Sequence, residues 1–166
     1  ARRPDKQGLA VAGQCPVQGP PVLCLGNELM SILYRPVGLK ELDLIVQTGW
    51  RAFPPRLEGQ PIFYPVLSFT YAAQIAREWN TKSHSFAGFV TRFEVEDRYA
   101  RQFAVHIVGK RGLHEELWIP AEELATFNAH IVGEITVEAA YYGDRFKGEI
   151  DPETNLPASI KDTSVT

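Results

Sequence analysis

The apolar period of the chain changes near Phe86, and that change limits what it can fold into. Before it, Leu39, Leu42, Ile45 and Val46, and then Tyr71, Ala72, Ile75, Ala76 and Trp79, recur at helical spacing. After it, Phe89–Val95 alternates as a half-buried strand does, and Ile131–Tyr142 forms a last long strand with Ile135, Val137 and Ala139 on one face. Short apolar strands at Ile32–Arg35 and Pro61–Leu67 come ahead of the two helices, the second with prolines at its margins as an edge strand would have. The order is β-α-β-α followed by several strands. It predicts an α+β domain with split, mostly antiparallel β-sheets and short helices.

Local signals place the boundaries. Gly49 suits the C-terminal end of the first helix, and Ser68 or Thr70 the N-cap of the second. Glu96–Arg101 reads as a turn or short helix. Phe103–Val108 and Leu113–Ile119 flank Gly109-Lys110-Arg111-Gly112 as a hairpin. Pro120 sits where a helix begins, Glu122 and Glu123 suit its positive end, and Leu124 and Phe127 point inward.

Three regions follow. Residues 1–29 are rich in Gly, Pro, Gln and Ala, lack apolar periodicity, and read as a disordered or extraneous N-terminal segment. Pro16, Gly19, Pro20 and Pro21 interrupt the apolar core that a secretory signal needs, and Met30 suits a natural start. Residues 30–143 form the domain, and 144–166 read as a flexible C-terminal tail.

At 166 residues the chain suits one domain that needs no metal or disulfide staple. Its formal charge of −3 argues against a broad phosphate-binding surface, although a small basic patch is compatible with it. No apolar run approaches the roughly 20 residues that span a bilayer. Cys15 and Cys24 both precede the expected domain, which excludes a cysteine nucleophile or Cys-based zinc site there and fits a cytoplasmic protein. His84, His106, His114 and His130 lack metal-ligand spacing. Neither a glycine-rich phosphate loop nor a Gly-x-Ser-x-Gly elbow occurs.

Arg35, at a strand end, offers a planar fork for a phosphate or ribose edge, or simply a salt-bridged surface charge. Tyr64 and Tyr71, one on a strand and one on a helix, can place two aromatic faces about a planar cation or pack as core. Trp79 reads as core. Glu115 and Glu116 begin a strand, so their side chains point to opposite faces and only one can enter a cleft. A carboxylate there can stabilise positive charge developing on a sugar carbon, or simply be solvated. Glu134 and Glu138 read as solvent-facing. Arg51 and Arg56, around Phe53-Pro54-Pro55, make a small basic turn that can meet pyrophosphate or nucleic acid, or serve only as a turn.

Leu33-Tyr34-Arg35 with its helix and Gly49, Ile62-Phe63-Tyr64 with the helix carrying Tyr71 and Ala72, and Glu116 opening Leu117-Trp118-Ile119-Pro120 occur in the order of an ADP-ribosyltransferase. The chain resembles that fold, and its stretch from Tyr34 to Tyr142 is similar to short bacterial proteins carrying an ADP-ribosylation label. The resemblance implies an ADP-ribosyltransferase-like cleft between small sheets that holds NAD as substrate. It implies that Arg35 binds the adenosine-side ribose or phosphate, that Tyr64 and Tyr71 sandwich nicotinamide, and that Glu116 holds the nicotinamide ribose as the catalytic carboxylate. The implied activity is mono-ADP-ribosyl transfer to a protein or nucleic-acid acceptor, without metal or membrane. A non-catalytic nucleotide- or partner-binding module with the same fold is the alternative. The ADP-ribosylglycohydrolases of the crystallin type are large, all-helical and metal-dependent, which this strand-rich chain does not match.

Overall fold

The computed structural model describes residues 19–160. Residues 1–18, Cys15 among them, and 161–166 lie outside the described residues. In chain order the strands and helices begin with β1 (Val22–Leu25), β2 (Glu28–Gly38), α1 (Leu39–Gln47), β3 (Ile62–Phe63), α2 (Phe69–Glu78) and β4 (Ala87–Glu96). They continue with α3 (Asp97–Ala100), β5 (Val105–Ile107), β6 (Glu115–Leu117), β7 (Ile119–Pro120), α4 (Leu124–Ala129) and β8 (Ile131–Tyr142). The main sheet runs β1-β2-β4-β8, and β3-β7 and β5-β6 form two small sheets. The paired strands are antiparallel throughout. The architecture is therefore mixed α+β, with mostly antiparallel sheets and short helices.

One face of the main sheet carries the larger core. Leu33 and Val37 of β2 and Phe89 and Phe93 of β4 alternate inward, where they meet Phe53, Phe63, Leu117, Ile119 and Phe127. The phenylalanine rings touch one another, with centroids 4.9 Å apart for Phe53 and Phe63 and 4.8 Å for Phe53 and Phe93. The opposite face is covered by α2 through Ala72, Ala73 and Ala76, packed on Val66 and Val90. These small residues let the helix lie close to the sheet. A Cβ on Gly88 would sit 2.3 Å from the Ala76 carbonyl oxygen, so glycine is required at that contact. The same closeness leaves no place for a large ring. Trp79, read from sequence as core, caps the end of α2 and is 71% exposed.

The sheet also begins upstream of Met30. β1 pairs with β2 from Leu25↔Glu28 to Val22↔Ser31, through a tight turn in which Gly26 has φ of +63°. Thus residues 22–29, read from sequence as part of a loose segment, are a hairpin. The alternation that marks a half-buried strand was missing because all four β1 side chains are exposed. The segment after Tyr142 is likewise attached: Phe146, Leu156 and Ile160 pack against the larger core, and the Tyr142 hydroxyl donates to the Asn155 carbonyl at 2.7 Å. Its apolar residues are few, but these three are used.

The stretch read as one strand over residues 61–67 is broken. β3 has two residues, Pro65 has no N–H to give, and the next residue, Val66, bridges Tyr34 of β2 and Glu116 of β6. That short bridge joins the main sheet to the β5-β6 hairpin, and it brings Arg35 and Glu116 to one opening.

Candidate functional site

A cleft of about 1000 Å³ opens where β2 ends and α1 begins. Its walls include Arg35, Glu41, Arg56, Tyr64, Glu116 and Trp118. Such a volume lies at the upper end of small-molecule sites.

Arg35 occupies the core-facing register of β2, two residues beyond Leu33, and is 8% exposed. A buried guanidinium requires partners, and it has them. Its Nε donates to Glu41 Oε1 at 2.7 Å and its Nη2 to Glu41 Oε2 at 3.2 Å, a bidentate pair within one turn of α1. Its Nη1 donates to the Tyr64 carbonyl at 3.3 Å, and the guanidinium carbon lies 4.6 Å from the centre of the Phe63 ring. The Thr91 hydroxyl donates to the Arg35 carbonyl at 2.8 Å, fixing the strand behind it. Of the two sequence alternatives for Arg35, the salt-bridged one describes its geometry, yet it lines the cleft rather than the outer surface.

Arg56 is held differently. The preceding loop is pinned at its base: Asn128 accepts from the Phe53 N–H and donates to the Phe53 carbonyl, both at 2.9 Å. Upstream, the Thr48 hydroxyl donates to Ile45 O, while the Arg51 and Ala52 N–H groups donate to it. Gly49 at φ +69° and Trp50 at +63° complete that turn, as Gly49 was expected to do at the helix end. Arg56 Nε donates to the Ile62 carbonyl at 3.1 Å. Burial, and then the neighbouring charge of Arg35, lowers the Arg56 pKa from its ordinary value, with Glu41 and Tyr64 opposing. Arginine remains protonated all the same.

Across the cleft, Glu116 is 9% exposed, and its Oε1 accepts from the Trp118 indole N–H at 2.7 Å. Trp118 stacks on His106 of β5 at 3.9 Å and meets the Tyr64 ring edge-on at 6.2 Å. Glu115, of opposite parity, turns away and accepts from the Gly112 N–H at 2.7 Å.

The structure thus brings Arg35, Tyr64 and Glu116 to one cleft. Tyr71 is not among the lining residues. Its ring packs on His114 at 4.9 Å, and His114 in turn accepts from the Lys110 N–H at Nδ1 and contacts Gln74 Oε1 through Nε2. Burial, and then the Glu116 charge, raises the Tyr71 pKa. The aromatic companion of Tyr64 is Trp118, not Tyr71. Sequence reasoning passed over Trp118, although its parity with Glu116 in the run from Glu116 to Ile119 puts the two on one face. It also passed over Glu41, for which the only signal was its place in the turn that follows Arg35.

The lining cations Arg35, Lys40 and Arg56 outnumber the carboxylates Glu41 and Glu116 by one, in a chain of net charge −3. The formal charges lining the cleft therefore sum to +1, opposite in sign to the net charge of the chain. Among the described residues no group of three or more His, Cys, Asp or Glu is placed to hold a metal ion, and no helix is long and apolar enough to cross a membrane.

No family model, curated protein or solved structure matches the chain. Its class rests on what the fold and site define: an α+β domain with a basic, aromatic-walled cleft containing one buried carboxylate.

Proposed function

We propose that the cleft binds NAD and that the protein transfers ADP-ribose to a protein or nucleic-acid acceptor. One observation carries this reading: Glu116 lines the same cleft as Arg35 and Tyr64. Its Oε1 is held by Trp118, and among the described residues Oε2 has no hydrogen-bond partner. In the reaction the bond between nicotinamide N1 and ribose C1′ breaks, nicotinamide leaves with the electron pair, and the ribose becomes an oxocarbenium-like cation. Glu116 accepts a hydrogen bond from a ribose hydroxyl and stabilises that cation. The acceptor nucleophile then bonds to C1′ and gives up its proton to solvent. Tyr64 and Trp118 offer aromatic faces to the cationic nicotinamide ring.

Glu116→Gln keeps the shape and the indole contact but removes the charge. It should slow nicotinamide release from labelled NAD by about 100-fold or more while leaving NAD affinity within a few-fold. Wild-type protein that neither binds NAD nor releases nicotinamide with any acceptor would overturn the reading. A second reading, a nucleotide- or partner-binding module without turnover, is favoured by the engagement of Arg35 with Glu41, which commits the arginine's fork to a protein carboxylate. NAD binding without nicotinamide release would establish it.

A further inference from the structure

The two arginines of the cleft differ in how much of each guanidinium is already committed. Arg35 uses Nε, Nη1 and Nη2 on Glu41 and the Tyr64 carbonyl, and its face rests on Phe63. Arg56 uses Nε alone, on the Ile62 carbonyl, and among the described residues its Nη groups have no protein partner. Both line the cleft, close enough for the Arg35 charge to disfavour the charged form of Arg56. Glu41 opposes this, but its effect on Arg56 ranks below that of Arg35. An anion placed between the arginines would remove the repulsion.

We propose that Arg56 is the residue that grips the phosphate of a diphosphate-bearing ligand, and that Arg35 is a positioning residue whose charge and buried pair with Glu41 hold the cleft wall in place. The inference rests on the reading of the cleft as a nucleotide site and names which group of that nucleotide each arginine meets. The site is prepared for it. Asn128 pins the Phe53 backbone, Pro54 and Pro55 restrict the next two φ angles, and the Nε bond to Ile62 anchors the guanidinium of a residue that lines the cleft. A guanidinium held in this way loses little freedom when its open edge takes two phosphate oxygens. Lys40, exposed at the mouth, adds a second, looser charge.

Calorimetric titration with ADP, inorganic pyrophosphate and adenosine tests the assignment on wild type, Arg56→Gln and Arg51→Gln. Arg51, on the same loop, is exposed and lies 3.9 Å from Glu134, away from the lining residues. Arg56→Gln should weaken ADP and pyrophosphate about tenfold or more, leave adenosine unchanged, reduce the salt dependence of ADP binding, and preserve the melting temperature. Arg51→Gln should bind as wild type does. The proposal is overturned if wild type binds neither ADP nor pyrophosphate, or if folded Arg56→Gln binds both within twofold of wild type. It is also overturned if adenosine affinity falls as much as ADP affinity. Failure of the transferase reading is distinguishable: a protein that releases no nicotinamide, yet loses ADP binding in Arg56→Gln, keeps this assignment and loses only the catalysis.

Discussion

The phenylalanine core and the cleft share a wall, β2 and β3, and use it in opposite ways. Below, Phe63 joins Phe53 and Phe127 in a packed cluster whose members leave almost no surface to water. Above, the same Phe63 carries the Arg35 guanidinium, and charge replaces packing. Core rings gain from leaving water in proportion to their area, so their stabilisation is non-directional and tolerant of small displacements. The Arg35–Glu41 pair repays its desolvation only through good geometry, so it fixes positions without adding much stability. One region holds the fold together; the other keeps a few polar atoms in place along the cleft wall.

Truncating the core should give the largest effect. Phe127→Ala removes a fully buried ring from contact with Phe63, Phe93, Tyr99 and Phe103, and should cost about 3–5 kcal/mol in urea unfolding. A loss below about 1 kcal/mol would show that this end of the core collapses to fill the space. Next comes Glu41→Gln, which leaves the Arg35 charge in its buried place with no counter-charge. It should cost about 3 kcal/mol, and an unchanged unfolding midpoint would place Arg35 in better contact with water than its exposure implies.

The smallest effect belongs to Tyr142, which packs on Phe89 and Phe146 beside the larger core. Burial pushes its pKa up to about 12 from an ordinary value of 10.0. The unfolded chain therefore releases this proton first, so the stability contributed is fully present below pH 10 and is lost as pH rises toward about 12. Melting temperature should fall across that interval with a shallower slope in Tyr142→Phe. Equal slopes in the two proteins would assign the alkaline loss to Tyr71, Tyr99 and other groups instead.

Much of the scaffold was legible because period and punctuation are local. The switch at Phe86 separated helix from strand, Ser68 capped α2 by accepting from the Tyr71 N–H, and Gly49 closed the turn after α1. β1 was not legible, since a hairpin arm exposed along its length has no alternation to show. The exposure of Trp79 was hidden too, because helical spacing put it in line with the apolar residues, and only the closeness of Ala76 to Gly88 excludes a large ring. At the cleft, residue types pointed to Arg35, Tyr64 and Glu116, while the pairing of Tyr64 with Tyr71 gave way to Trp118.

The sequence by itself determined the class of fold, the parity that sends Glu116 and Glu115 to opposite faces, and the supply of chemical groups. Only the tertiary structure decided which of those groups meet. The bridge at Val66 carries Glu116 to the end of β2, and Glu41 takes up the fork of Arg35. The Asn128 clasp fixes Phe53, and the bond from Arg56 Nε to the Ile62 carbonyl leaves the Nη groups without a partner among the described residues. The physical reason is range. Backbone periodicity acts over a few residues, whereas a guanidinium's remaining hydrogen-bonding capacity depends on partners that the folded chain brings from anywhere along its length.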